Sequence, residues 1–330
     1  MRGQAETETA PRRISAIVVS WRTGPVLYDA VDAVLSASDI DELVLVNHDN
    51  PPETNARLRT LAEQNPKITL VETGANLGFS KGCNIGAKAA SGSHLLFLNP
   101  DAVIPSGAAA RLAETGRTLT EPWIAGARIL DADGQEQRGG RRGPLTLWSA
   151  FLSMTGLSRL SGLSAVFRDM HRENEPCPDA MISVATVSGA AMMMSRTGFD
   201  RLGGFDEDYF LHVEDIDLCR RARDAGGEVV FEPRAQLVHY GATSRAGVFA
   251  VERHKAVGLA RYFWKFSSGA GRVVMLIAIP LVFAAVTVRA VLLKAGFGIG
   301  LVARRRKAMH RLKRRQAAAK ATGTAREASR

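Results

Sequence analysis

The sequence has little cysteine, no apolar run near its start and almost no acid near its end. Its three cysteines are Cys83, Cys177 and Cys219, and no two form a C-x-x-C pair. So sparse and odd a set excludes a small disulfide scaffold and fits a reducing compartment. The opening stretch MRGQAETETAPRR is polar throughout. Residues 1–13 are therefore expected to be disordered, with no signal peptide, and the body is expected to face the cytoplasm. Acid is missing at the other end. Residues 294–330 hold 12 Lys/Arg and one acid, Glu327, so that tail carries +11 and residues 1–293 carry −1 of a formal net charge of +10. This excludes a chain that is basic throughout and wrapped by nucleic acid. It predicts a near-neutral globular body with a basic appendage.

What is present is ordinary for a globular protein: 46% hydrophobic and 23% charged residues over a length of 330. That length suffices for one large domain or two smaller ones. Short apolar runs at 14–20 (ISAIVVS), 43–46 (LVLV), 68–71 (ITLV) and 95–98 (LLFL) alternate with amphipathic stretches around 25–37, 53–64 and 81–91. Continuous apolar strands alternating with helices predict βαβ units and an α/β fold with a mostly parallel sheet covered on both faces. Ligands bind such sheets at the carboxyl ends of the strands. The segments to watch are therefore 21–24, 47–50, the loop after Val71, and 99–101.

After residues 123–130 the rhythm changes. A turn signal at 131–134 leads into a mixed excursion over 136–180, with an apolar stretch at 145–167. A strand is expected at 184–188, a helix at 214–225 and a short strand at 228–231, with His239 beyond a following loop. No internal repeat is found. Residues 273–288 (VVMLIAIPLVFAAVTV) form an uncharged run of 16 residues between Arg272 and Arg289. A spanning helix needs about 18–20. The run reads as an interfacial or hairpin-like membrane helix, a true span, or a buried core helix, and the basic clusters after it suit anionic lipid headgroups.

Four constellations carry chemistry. Asn99-Pro100-Asp101 ends an apolar strand, and a carboxylate there can bind a divalent cation that holds a diphosphate. A turn or helix cap is the bland alternative, with Ser106 a competing cap for the next helix. In NLGFSKGCNIG (76–86), Gly78, Gly82 and Gly86 permit a tight turn and a close helix approach, which Asn76 and Asn84 can hold; it is not the dinucleotide pattern G-x-G-x-x-G. Seven carboxylates fall within residues 200–217, a density that repels itself unless cations or basic partners are near. On spacing alone, a solvated helix start paired with Arg220, Arg221 and Arg223 is the favoured explanation. Finally, His239 matters only if it reaches Asp101.

Together these residues resemble the inverting glycosyltransferases of family 2, which have the GT-A fold. The resemblance covers roughly residues 14–245 and rests on NLGFSKGCNIG, FLNPD, SGAAMMM, RLGGFDEDYFLHVEDIDLCRRARDAG and VHYGATS. Within the family it looks like the rhamnosyltransferase-like branch that builds bacterial cell-wall polysaccharide, O-antigen and exopolysaccharide on lipid carriers. The resemblance implies a catalytic domain over 14–250, with a nucleotide-binding half at 14–101 and an acceptor half at 102–250. A membrane-associating segment at 251–293 and the basic tail follow.

It implies roles as well. Asp101 and His239 would hold Mg²⁺ or Mn²⁺. Asp215 would be the general base, with Glu214 the alternative. Ser20, Asn47, Asn76, Gly78, Lys81, Asn84 and Asn99 would line the donor side. Gly189, Gly203, Gly204, Asp206 and a loop arginine, Arg141 or Arg142, would line the acceptor side. The implied donor is a nucleoside-diphosphate sugar of the dTDP-rhamnose or UDP-sugar type. The implied acceptor is a polyprenyl-diphosphate-linked saccharide at the cytoplasmic face of the bacterial inner membrane. Two departures lie at the nucleotide pocket. The family usually has Asp at the end of the second strand, where this chain has Asn47, and an Asn-containing turn after the first, where it has Ser20-Trp-Arg-Thr23. The competing readings are a non-catalytic sugar-nucleotide-binding or scaffold relative, and a nucleotidyltransferase, which would need a Gly-rich basic loop after the first strand.

Overall fold

The computed structural model describes residues 12–241 and 247–294. The basic clusters beyond residue 294 and most of the expected disordered N-terminus lie outside these residues. The chain opens with strand β1 (Ile14–Ser20), helix α1 (Val26–Ser36), β2 (Glu42–Asn47), α2 (Pro52–Gln64), β3 (Ile68–Glu72), α3 (Phe79–Ala89) and β4 (His94–Leu98). There follow β5 (Ala102–Val103), α4 (Ala108–Gly116), β6 (Ile124–Leu130), β7 (Arg141–Arg142) and α5 (Leu147–Thr155). After two short 3₁₀ turns come β8 (Ile182–Ser183), β9 (Thr186–Val187), β10 (Ala191–Ser195), α6 (Arg196–Arg201), α7 (Glu214–Asp224), β11 (Val229–His239), α8 (Val248–Lys265) and α9 (Ala270–Lys294).

The main sheet runs β3-β2-β1-β4-β10-β6-β11-β5, with β8 also on β11. The pairings among β3, β2, β1 and β4 are parallel, as is β6 with β11, while β10 runs antiparallel between β4 and β6. All seven residues of β1 are buried. A strand covered on both faces has no need of polar alternation, and each buried Val, Ile or Phe contributes about 1.5–3 kcal/mol. On α1 the buried residues Val26, Leu27, Ala30, Val31 and Val34 fall on one face of a 3.6-residue repeat. The chain passes from β1 outward to β3, then crosses back to β4 on the other side of β1. The carboxyl ends of β1 and β4 therefore flank the crevice where ligands bind in such sheets.

Three expectations change. Of the strand expected at 184–188 only Thr186–Val187 (β9) forms, preceded by β8 at Ile182–Ser183, and the SGAAMMM segment supplies the central strand β10. Its Met192, Met193 and Met194 are fully buried, so flexible methionines fill a position where β-branched residues are more usual. The short strand at 228–231 continues to His239, with a register shift between Glu232 and Gln236, so His239 ends a strand and does not follow a loop. Ser106 does not cap α4, which starts from Gly107 without a side-chain cap.

A second apolar cluster joins Leu145, Ala150, Tyr209, Val213, Ile216, Tyr262, Phe263 and Met275, tying α5, α8 and α9 to the start of α7. The expected boundary at 250/251 falls inside α8. That helix is fixed to α7 and the loop before it by Arg261 and Lys265 on Asp206, and by Lys265 on Asp217. In α9 the stretch Ala270–Val288 has a mean hydropathy of 2.2, and the helix is long and apolar enough to cross a membrane.

Candidate active site

At the end of β4, Asn99-Pro100-Asp101 turns the chain into β5, and β5 pairs antiparallel with the end of β11, setting Ala102 opposite His239. The sheet register thus carries His239 to Asp101: Nε2 lies 3.0 Å from Asp101 Oδ1. Asn99 Nδ2 lies 3.1 Å from the same Nε2. The other ring nitrogen, Nδ1, meets Gln137 Oε1, while Gln137 Nε2 donates to the His239 carbonyl at 3.2 Å. An amide oxygen accepts, so Nδ1 donates to Gln137, and Nε2 is the ring atom that faces Asp101 and Asn99. A histidine held in this way by its Nδ1–H presents Nε2 to a metal. Asp101 and His239 offer a hard oxygen and an imidazole nitrogen, a donor set that suits Mn²⁺ or Mg²⁺ only if further oxygens complete it. Among the described residues no group of three His, Cys, Asp or Glu side chains converges for a metal. A pair of protein donors suits a cation shared with a diphosphate.

Asp215 stands on the first turn of α7. Its Oδ1 accepts from its own helix at Ile216 N (2.8 Å), and its Oδ2 accepts from Gly189 N at 3.1 Å. Arg142 donates to the same Oδ2 and to the Val187 carbonyl. Gly189 and its neighbour Ala190 join the two halves of the site. Gly189 N donates to Asp215, and the Ala190 carbonyl accepts from Asn99 N at 3.1 Å. Glu214 is buried beside Asp215, and its Oε2 has no hydrogen-bond partner. Burial, and then the Asp215 charge, push its pKa up to about 8. Its burial favours the protonated form.

The backbone before α7 is strained. His212 (φ 69°) and Val213 (φ 74°) are both left-handed, a rare conformation for any side chain and rarer for a β-branched one. Gly258 of α8 packs against this pair so closely that a Cβ there would sit 3.0 Å from the His212 carbonyl oxygen. The His212 Nε2 atom is buried and unpartnered, and desolvation lowers the ring's pKa to about 3.

The 203–208 loop is clamped from both sides. Asn84 accepts from Phe205 N (2.9 Å) and donates to the Phe205 carbonyl (2.9 Å). Arg221 donates to the carbonyls of Leu202 and Gly204. Lys81 lies 3.9 Å from Glu207 at the surface. Asp206 is occupied by Arg261 and Lys265, and these contacts lower its pKa against the opposing effect of burial. Asn76 accepts from Gly78 N at 3.1 Å. A Cβ on Gly78 would meet the Phe210 carbonyl oxygen at 2.7 Å. Arg141 binds Glu136 and the carbonyls of Glu175 and Pro176. Of the two arginines, then, only Arg142 faces Asp215.

At the ends of β1 and β2, Asn50 organises the polar groups. Its Nδ2 donates to Ser20 Oγ (3.0 Å) and to Asn47 Oδ1 (2.8 Å), and its Oδ1 accepts from Arg22 N. Asn47 Nδ2 donates to Asn55 and to Glu72 at the end of β3, which Arg59 also grips.

With this geometry in place, the family model described as glycosyltransferase like family 2 matches residues 11–256. The chain belongs to this family. An N-acetylglucosaminyl-diphospho-decaprenol L-rhamnosyltransferase of Mycobacterium tuberculosis is 25% identical over 243 residues, covering 70% of this chain and 77% of that one. The rhamnosyltransferase WbbL of Escherichia coli is 40% identical over 53 residues, 16% of this chain and 20% of its own. Among solved structures, a mannosyltransferase of Pyrobaculum calidifontis in complex with GDP-Man and Mn²⁺ superposes with a TM-score of 0.53 at 18% identity, covering 89% of this chain and 81% of that one. GalNAc-T7 with UDP, GalNAc and Mn²⁺ gives 0.52 at 15% identity over 77% of this chain and 48% of its own. These likenesses are of fold: the protein is a GT-A glycosyltransferase of family 2.

As a family 2 enzyme it departs at the nucleotide end. Where the family usually places a carboxylate on the second strand, this chain has Asn47, and the carboxylate it touches is Glu72 on the neighbouring strand. Sequence reasoning missed Gln137, Asn50 and the ionic centre at Asp217. Asp217 is fully buried and receives Tyr209, Arg221 and Lys265. Asn50 lies at the flagged strand end and was findable. Gln137 and Lys265 carry no local signal, because each acts through a partner about 100 or 50 residues away, a distance that only the fold closes.

Proposed function

We propose that this glycosyltransferase is an inverting enzyme that moves a sugar from a nucleoside-diphosphate donor to a lipid-linked saccharide, with Asp215 as its general base. The observation that carries the reading is the Gly189–Ala190 bridge, which ties the Asp215 carboxylate to the Asn99–Asp101 strand end through one dipeptide. A base and a diphosphate site so joined fit a single displacement. Asp215 removes the acceptor hydroxyl proton as the oxygen attacks the anomeric carbon, opposite the departing diphosphate. Asp101 and His239 would hold a divalent cation, which when bound supplies charge neutralisation for the leaving diphosphate. Asn99 orients His239 from one side and Gln137 from the other. Arg142 pairs with Asp215 in a buried setting and restricts its carboxylate to one orientation. Glu214, being protonated, adds no second negative charge beside the base.

The relatives named as rhamnosyltransferases support a dTDP-rhamnose or UDP-sugar donor, and the decaprenol-diphosphate relative supports a polyprenyl-diphosphate acceptor. The apolar α9 supports work at the cytoplasmic face of the inner membrane, with the basic tail on anionic lipid. A donor panel assayed with Mn²⁺ or Mg²⁺ against polyprenyl-diphosphate-linked saccharides tests this reading. One donor should give a metal-dependent product. A blank panel from folded protein that also binds no nucleotide sugar would return the chain to the scaffold class.

A further inference from the structure

The excursion between β7 and β8 has no part in the site described above, yet it carries the most exposed apolar side chains outside α9. Trp148 and Phe151 stand one turn apart on α5 with their rings stacked at 5.5 Å, 49% and 44% exposed. Leu160 and Val166 are exposed in the 3₁₀ turns, and Leu163 between them is 81% exposed. The Trp148 indole donates to the Val166 carbonyl at 2.9 Å, folding the two ends of this surface together. Its one polar group is thereby satisfied inside the protein, so the ring can leave water without losing a hydrogen bond.

Charge selects the partner. No Asp or Glu lies between Glu136 and Asp169, while Arg159 and Arg168 are exposed within the apolar surface. The surface is also continuous with another of the same kind. On its inner side α5 packs against α9, through a cluster containing Ala150 and Met275, while Val273, Leu276, Ile277 and Leu281 of α9 point outward. Aliphatic groups, a tryptophan and arginines without acids match the boundary between acyl chains and anionic headgroups.

We infer that residues 147–168 form a second lipid contact, lying in the interface of an anionic bilayer beside α9. This rests on the membrane reading of α9. It also gives the excursion a task. Arg142 precedes α5 by five residues, so a membrane-seated α5 fixes the strand that holds Asp215 at the surface where a lipid-linked acceptor resides.

The test uses the full chain with Cys177→Ser, reconstituted in vesicles of equimolar phosphatidylglycerol and phosphatidylcholine. Nitroxide labels are placed singly at Leu163→Cys, at Ile277→Cys and, as a water reference, at Glu63→Cys. The Leu163 label should show an oxygen-to-nickel accessibility ratio several-fold above the Glu63 label, as the Ile277 label should. A Leu163 label that matches Glu63 while Ile277 is in lipid overturns this inference and leaves the membrane reading standing. If Ile277 also matches Glu63, both fall. A Leu163 label shielded from oxygen and nickel alike means protein covers the face, a second copy for example, and overturns the lipid contact. In a Trp264→Phe background, brominated acyl chains should quench emission that Trp148→Phe removes; unchanged quenching on that replacement contradicts the inference independently of the labels.

Discussion

Arg142 and Asp215 form a buried ion pair between β7 and the first turn of α7, their side chains only 10% and 12% exposed. A charge pair taken this far out of water is tolerated because both partners have further hydrogen bonds, Arg142 to Val187 and Asp215 to Gly189 and Ile216. Removing one partner strands the other. Arg142→Ala is expected to lower unfolding stability by about 3–5 kcal/mol. Urea unfolding checks this, and turnover should fall with it because the base loses its fixed orientation.

Gln137 holds the His239 ring through Nδ1 and, in the proposed site, would act on the metal only through that ring. Gln137→Ala frees the His239 ring and is expected to weaken apparent Mn²⁺ affinity by about 10–100-fold. Gln137→Glu, which still accepts from Nδ1–H but loses the donor to the His239 carbonyl, should restore part of it. A Mn²⁺ titration of activity separates this from a general loss of fold, which the Glu variant would not repair.

Glu214 makes stability fall with rising pH. Its folded pKa of about 8 lies above the ordinary 4.5, so the native state binds more protons than the unfolded chain between those values. Its contribution is therefore complete below about pH 4.5 and is lost as pH rises through about 8. Glu214→Gln should flatten the decline in unfolding free energy between about pH 5 and pH 8. His212 acts oppositely: with a folded pKa of about 3 it favours the native state increasingly as pH rises toward 6.5. Parallel slopes for wild type and Glu214→Gln in denaturant titrations would contradict the assignment.

Gly78→Ala should destabilise the protein by about 1–3 kcal/mol or more, since it forces a side chain into a left-handed conformation against the Phe210 carbonyl. Thermal melts measure it. Gly74, also left-handed but facing open space, is the control and should cost less on the same replacement.

Much of this was legible before the fold was known. The four parallel strands of the first half announce themselves because each is short, apolar and followed by an amphipathic helix. The Asn99–Asp101 strand end and the Asp215 helix start were found for the same reason: they terminate recognisable elements. The rest was hidden by composition. β10 reads as a methionine run and carries no strand propensity, yet it occupies the middle of the sheet. His239 looked like a loop residue because Pro233 breaks the apolar pattern of β11, and the register shift there lets the strand continue past it. The roles of Asp206 and Asp217 were not separable from those of their acidic neighbours, since α8, arriving from 40 or more residues downstream, supplies Arg261 and Lys265 to Asp206 and adds Lys265 to Arg221 on Asp217.

Deleting residues 270–330 should shift the protein from the membrane fraction toward the soluble one, leaving only the weaker contact of residues 147–168, because Ala270–Val288 is the one helix long and apolar enough to span among the described residues. Fractionation by centrifugation reads it directly, with unchanged membrane partition as the contrary outcome.

The central claim is an Asp215-driven displacement with inversion at the anomeric carbon. The most direct measurement is the anomeric configuration of the product, read by NMR from wild type and from Asp215→Asn under the same donor, acceptor and Mn²⁺. The account predicts a product of configuration opposite to the donor's, and a turnover about 10²–10⁴-fold lower in Asp215→Asn with nucleotide-sugar binding retained. Retention of configuration, or an Asp215→Asn enzyme with wild-type turnover, would contradict it.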